Sequence, residues 1–273
     1  MIFVMDVGNT QTTVALFEGE RLVHCWRLTT ARQRTPDEWG ALLKSLFHIH
    51  DLDMNDVRGV AISSVVPPAD WPLRHMCKLY FKIEPLFVAP GIKTGIHVLY
   101  DNPAEVGADR IVNAVAAQDK YDVPAIIVDF GTATTFDMLD GEGNYLGGVI
   151  APGLAISAEA LFERAAKLPK VEIARPKRVI GKTTVASMQS GLYWGYVGLV
   201  EGILRRMKKE FGLVKSVVAT GGLAPLVAPD CPSVGFVDED LTLEGLRLLY
   251  ERNHPAEERA APDTAALKRR RKE

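Results

Sequence analysis

Ile2-Phe3-Val4-Met5-Asp6-Val7-Gly8-Asn9-Thr10-Gln11-Thr12-Thr13 is the stretch on which the fold turns. Its apolar run reads as a buried strand ending in an Asp. Gly8 permits a tight turn, and amide and hydroxyl side chains begin a second strand. The chain writes the same device again at Ala125-Ile126-Ile127-Val128-Asp129-Phe130-Gly131-Thr132-Ala133-Thr134-Thr135-Phe136. Laying Asp6 on Asp129 sets Gly8 on Gly131 and Thr12 on Thr135. One such turn alone is usually an ordinary hairpin, and Asn-Gly or Asp-Gly would close a plain hairpin more economically. Repetition points elsewhere. Two of these hairpins facing each other make a clamp for a polyphosphate: backbone N–H groups and Thr hydroxyls bind phosphate oxygens, and the two carboxylates hold the neutralising metal. The expected ligand is ATP.

The 273 residues suit two modest domains or one large one, with 47% apolar and 24% charged residues, ordinary globular values. A formal charge of −2 gives no general attraction to nucleic acid or anionic membrane. The end departs from this: Lys268-Arg269-Arg270-Arg271-Lys272 follows a Pro- and Ala-rich stretch from about Asn253, and residues 253–273 read as a disordered basic tail. Cys25, Cys77 and Cys231 are scattered, as reduced thiols of a cytoplasmic protein would be. The histidines show no zinc-ligand spacing. Met1 runs directly into the first strand, with no targeting signal, and no stretch approaches about 18 apolar residues.

Outward from the first turn, Thr12 to Phe17 and Arg21 to Leu28 alternate like antiparallel strands. Thr35-Pro36-Asp37-Glu38 starts a helix, with Thr at the cap and Pro in the first position. A buried strand follows at Val57 to Val65, a helix after Pro67-Pro68, and a strand from Pro85 to Ala89. The order recurs after a connecting helix from Arg110 to Tyr121. Strands at 125–129, 134–139 and 145–150 precede helices at 154–166 and 183–210; strands at 216–219 and 234–237 and a helix at 241–252 complete the set. The halves read as internal repeats, residues 1–115 and 116–252, with the ligand in the cleft between them. Gly191, Gly195, Gly198 and Gly202 lie along one face of the long helix, where glycine costs about 1 kcal/mol against alanine. They imply close approach of another backbone, either a subunit partner or tight packing within one subunit. Two decoys fail: Gly181-Lys182-Thr183 has Pro176 where a P-loop needs glycine, and Gly141-Glu142-Gly143 has Leu146 where the dinucleotide fingerprint needs its third glycine.

These turns, with Tyr100-Asp101-Asn102-Pro103, Gly107-Ala108-Asp109-Arg110, Pro152-Gly153 and Thr220-Gly221-Gly222, resemble the type III pantothenate kinases, within the superfamily of acetate and sugar kinases, Hsp70 and actin. The resemblance covers about residues 1 to 250. It implies an α/β fold of duplicated ribonuclease H-like (actin-like ATPase) domains, each a mixed sheet flanked by helices. It also implies phosphorylation of the primary hydroxyl of pantothenate by ATP, the opening step of coenzyme A synthesis.

Residue by residue, the resemblance makes Asp109 the base for the attacking hydroxyl. A carboxylate next to Arg110 is expected to stay ionised at neutral pH. Asp6 would act on Mg²⁺ through water, and Val7, Gly8, Asn9, Thr10, Gln11, Thr12 and Thr13 would form the first phosphate loop. Asp129 would hold a monovalent cation, potassium or ammonium, and Thr132 would contact the phosphates. Gly221 and Gly222 would either admit the adenosine or form a plain strand-to-helix turn. Tyr100, Gly107, Ala108, Asp109 and Arg110 would bind the acceptor, with Arg110 pairing to its carboxylate. Thr184 would come from the neighbouring subunit of a homodimer. Two alternatives stand beside this reading: a related small-molecule kinase of the same superfamily, and a nucleotide-binding transcriptional accessory factor whose basic tail would be its one supporting feature.

Overall fold

The computed structural model describes residues 1–255. The run from Lys268 to Lys272 lies outside the described residues, as does the expected disordered tail from residue 256 on. Asn253, placed at the start of that tail, instead ends the helix Leu241–Asn253, its Nδ2 donating to the Lys93 carbonyl at 3.0 Å.

The first sheet contains β1 (Ile2–Val7), β2 (Gln11–Glu18), β3 (Arg21–Thr29), β4 (Gly59–Ser64) and β5 (Leu86–Phe87) in the order β3-β2-β1-β4-β5. The second contains β6 (Ala125–Phe130), β7 (Ala133–Leu139), β8 (Tyr145–Pro152), β9 (Ser216–Thr220) and β10 (Phe236–Val237) in the order β10-β9-β6-β7-β8. The two orders are one plan: a meander of three antiparallel strands, then two added parallel to the central strand. Central strands β1 and β6 are apolar on both faces because helices cover both. Only their Asp residues break the run.

Strand register corrects one detail of the sequence alignment. Asp6 lies opposite Thr13 and Val7 opposite Thr12, whereas Asp129 lies opposite Thr135 and Phe130 opposite Thr134. The second turn is therefore one residue shorter, and Thr12 corresponds to Thr134, not Thr135. Burial agrees, since Thr12 and Thr134 are both 0% exposed. Side chains alternate between faces along a strand, so Asp6 and Thr13 share one face while Val7 and Thr12 share the other.

Helix α1 (Pro36–Ile49) opens with a full capping box: Glu38 N–H donates to Thr35 Oγ1 at 3.3 Å, and Thr35 N–H donates to Glu38 Oε2 at 2.7 Å. Its Trp39, Leu43 and Phe47 bury against Phe3 and Met5 of β1. Helix α2 (Pro67–Met76) runs on into a π-helical turn at Cys77–Phe81. Helix α3 (Ala108–Lys120) connects the repeats, followed by α4 (Leu154–Arg164), α5 (Thr184–Phe211), the single turn α6 (Ala224–Val227) and α7 (Leu241–Asn253).

One hydrophobic core spans both repeats. Val4 and Ala61 of the first sheet and Ile127 of the second pack in a single cluster with Val112 and Val115 of α3 and Leu246 of α7. Gly245 makes this possible: a Cβ there would collide with the Val112 carbonyl, so its absence lets α7 lie directly on α3. Helix α7, the last element among the described residues, thereby packs on β1 and β4 of the first sheet. The glycines of α5 behave differently. Tyr193, Tyr196, Val200 and Leu204 bury one face of that helix in a second cluster. Where Cβ atoms would stand at Gly191, Gly195 and Gly198, nothing among the described residues beyond the helix's own nearby backbone lies within 4 Å. Tight packing within one subunit thus does not explain this face.

Candidate active site

Each acidic turn is held by a residue outside its hairpin. Thr30, just past β3, donates its hydroxyl to the Gly8 carbonyl at 2.7 Å and pairs with Thr12 Oγ1 at 2.8 Å. In the second repeat Gly153 N–H donates to the Thr132 carbonyl at 3.2 Å, and Thr134 pairs with the Tyr196 hydroxyl. A side chain at Gly153 would strike that carbonyl, which accounts for glycine there. So fixed, the two tips meet: Thr10 Oγ1 lies 3.2 Å from Thr132 Oγ1.

Beneath the tips is a cavity of about 460 Å³, within the range of small-ligand sites, and Asp6, Asp109 and Asp129 all line it. Thr10, Gln11, Thr13, Thr132, Gly221 and Gly222 line it too. Ile156, Ile173, Leu223 and Leu243 add apolar surface. Val7 and Thr12 face the core of their lobe instead, as strand alternation requires, and Gly8 closes the turn through its N–H to the Gln11 carbonyl at 3.0 Å. Asn9 stands exposed, its Oδ1 accepting from Arg32 at 3.5 Å.

The three carboxylates disturb one another. Burial, then the charges of Asp109 and Asp129, push Asp6 up to about 7. Burial and the Asp109 charge push Asp129 up to about 7 as well. Asp129 Oδ2 is tied down, accepting from Asn113 Nδ2 at 3.1 Å, while Thr242 donates to Asn113 Oδ1 at 2.7 Å and so fixes which way the amide points. Oδ1 faces Gly221, whose φ of +88° only glycine takes readily and where any Cβ would overlap that oxygen. Such a donor set is relieved by a cation. Among the described residues no group of three or more His, Cys, Asp and Glu could hold a metal ion on its own.

Asp109 sits in the first turn of α3, where Arg110 N–H donates to its Oδ1 at 2.9 Å. The expected charge pairing with Arg110 takes another form. Arg110, 6% exposed, turns its guanidinium to Asp137, with Nε donating to Oδ1 at 2.7 Å and Nη2 at 2.6 Å from the same oxygen. Tyr145 donates to that oxygen also, at 2.7 Å. With the guanidinium engaged elsewhere, burial dominates at Asp109 and raises its carboxyl above the usual range. Tyr100 packs on Tyr145 and beside Gly147, which brings it close to the Arg110–Asp137–Tyr145 group; of Tyr100, Gly107, Ala108, Asp109 and Arg110, Asp109 is the one that lines the cavity. Thr184 does not. It is exposed at the start of α5, outside the cavity lining.

Arg27, Glu239 and Thr242 line the cavity without having been singled out in the sequence, and Thr220 of the quoted Thr220-Gly221-Gly222 motif lines it beside its glycines. Asn113 and Asp137, which hold the site residues, were missed as well. Strand register at Arg27 and the amphipathic pattern of α3 at Asn113 were the available signals.

A duplicated β-meander sheet with acidic turns closing on a shared cleft defines the class: an actin-like ATPase fold of the kind that sugar kinases use. Over 92% of this chain and 98% of the other, it superposes on a protein from Campylobacter jejuni described as a conserved Baf family transcriptional activator, with a TM-score of 0.57 and 17% identity. The activator of 2-hydroxyisocaproyl-CoA dehydratase from Clostridium difficile, solved with ADPNP, covers 98% of this chain and 97% of its own, with a TM-score of 0.52 and 13% identity. Identity so low speaks for the fold alone. Residues 2–206 match the type III pantothenate kinase family. The type III pantothenate kinase of Koribacter versatilis is 55% identical over 263 residues, covering 93% of this chain and 96% of the relative. The chain belongs to the type III pantothenate kinase family.

Proposed function

We propose that the protein transfers the γ-phosphoryl group of ATP to the primary hydroxyl of pantothenate, the opening step of coenzyme A synthesis. The observation that carries this is the opening of Asp109 into the same cavity as the two acidic turns. Phosphoryl transfer needs in-line positioning, charge neutralisation and a base for the attacking hydroxyl. Asp109 is the base, and its raised carboxyl makes it a better proton acceptor than an ordinary aspartate once ionised. Thr10, Gln11, Thr13 and Thr132 hold phosphate oxygens, with the backbone of residues 7–9 completing the first turn. Gly221 and Gly222 admit the adenosine.

Asp6 would hold Mg²⁺ through water and Asp129 a potassium or ammonium ion; bound there, the cations neutralise charge on the phosphates. Asn113 keeps one oxygen of Asp129 engaged and leaves the other for the cleft. Tyr100, Gly107, Ala108 and Arg110 form the acceptor end, with Asp137 setting the tilt of the Arg110 guanidinium. The bare glycine face of α5 supports a homodimer in which Thr184 reaches the partner's acceptor site. The division into residues 1–115 and 116–252 follows the repeated strand plan, and the cytoplasm is the compartment that ATP and pantothenate chemistry implies. Among the described residues no helix is long and apolar enough to cross a membrane.

ADP release, coupled to a chromogenic reporter with potassium and magnesium present, tests the reading over a panel of pantothenate, sugars and acetate. Turnover on pantothenate supports it; turnover on glucose or acetate without pantothenate overturns it in favour of a sister kinase.

A further inference from the structure

Asp6, Thr13 and Arg27 stand at one register across β1, β2 and β3, Asp6 opposite Thr13 and Thr13 opposite Arg27. Directly opposed residues project from the same face of a sheet. Strands lie about 4.8 Å apart, so Arg27 is roughly 10 Å from Asp6 along that face, within reach of a long side chain. On the other side of Asp6, Ser63 of β4 continues the row.

The second sheet carries a matching row. Thr220 lies opposite Asp129, Asp129 opposite Thr135, and Thr135 opposite Ile150. The two rows agree in kind at three places: hydroxyl, carboxylate, hydroxyl. They part at the fourth, where the first has an arginine and the second an isoleucine that is 63% exposed. A duplicated sheet has no structural need for a cation at that corner, since its twin does without one.

Arg27 is the sole Lys or Arg among the described residues lining the cavity, where it keeps company with Asp6, Asp109, Asp129 and Glu239. No ion pair or hydrogen bond engages its guanidinium among the described residues. Its charge is felt at Asp240, which precedes α7 and follows the cavity-lining Glu239. An arginine left free among carboxylates presents its planar fork to whatever anion enters, and that fork matches phosphate oxygens.

We infer that Arg27 is a phosphate-contacting residue, reaching from β3 to the phosphoryl oxygens of the bound nucleotide; this rests on the nucleotide reading above. Its side chain is exposed, so replacing it leaves the core intact. In the full chain, Arg27→Gln should weaken ATP binding by about 10- to 100-fold, the loss of one charge-assisted contact. Calorimetry should show adenosine binding unchanged, and kinetics should place the defect in kcat/KM for ATP with KM for pantothenate unmoved. Arg27→Lys should recover part of the loss.

Equal ATP affinity in Arg27→Gln and wild type overturns the inference. So does a parallel loss of adenosine binding, which would mark a damaged lobe, or a defect confined to pantothenate KM, which would put Arg27 on the acceptor. A wild-type chain that binds no ATP overturns the nucleotide reading itself, a result visible before any variant is made.

Discussion

Thr10 and Thr132, the tips of two turns from different repeats, touch hydroxyl to hydroxyl at 3.2 Å. Asp6, Asp109 and Asp129 line the cavity that both hydroxyl-bearing tips also line. The pair closes the cleft above Asp6 and Asp129, and α3 delivers Asp109 from the side. The core shared by α3 and α7 joins the two lobes away from the tips.

Asp109→Asn keeps the shape of the side chain and its acceptor for the Arg110 N–H, and removes only the proton acceptor. Turnover should fall about 10²–10⁴-fold, with ATP affinity and thermal midpoint near wild type. In the wild type, kcat/KM for pantothenate should drop as pH falls through a value above the ordinary carboxylate range, because burial raises the group that must be ionised. A stopped-time assay across pH checks both.

Asp6→Asn should stabilise the ligand-free protein at alkaline pH. The folded carboxyl titrates near 7 against 3.8 in the unfolded chain, so the folded state holds its proton more tightly. Wild-type stability therefore declines as pH rises from about 4 to about 7, while the variant escapes that decline. The gap should vanish in acid and reach about 1–3 kcal/mol above neutrality, less than the full shift because water reaches the cleft floor. Urea titrations of both proteins at a series of pH values measure it.

Gly221→Ala and Gly222→Ala make an informative pair. The first forces a side chain into a positive φ and against Asp129 Oδ1; the second meets nothing within 4 Å. Gly221→Ala should cost more than about 1 kcal/mol and weaken ATP binding, whereas Gly222→Ala should change stability by less than about 0.5 kcal/mol. Thermal melts with and without ATP distinguish them.

Gly195→Leu adds a side chain where the subunit has open space, and it replaces a poor helix former with a good one. The isolated subunit should be as stable as before. Light scattering should show the proposed homodimer split, and activity should disappear with it, because in that dimer Thr184 reaches the partner's acceptor site. A dimeric, active variant would remove α5 from the interface.

Much of the fold was legible because apolar runs bounded by turn residues mark β1 and β6 so plainly, and because the Thr35 cap announces α1. The repeat was legible for the same reason. The shorter second turn was not: a constant offset matched Thr12 to Thr135 by residue type, and only register shows the partner is Thr134. The Arg110–Asp137 pair was also hidden. Adjacency in sequence suggested Asp109 as the partner, but consecutive helix residues diverge by about 100°, and the guanidinium found a strand carboxylate instead. Arg27 was out of sight because it belongs to no motif; its place is written in strand pairing, two strands from Asp6.

In the proposed phosphate site, the shorter second turn bears on how a nucleotide would be received. A cradle with true twofold symmetry would accept a chain of phosphates from either end, and half of all encounters would point the reactive end away from Asp109. Shortening one lip makes the two sides unequal, so the cradle acquires a front and a back.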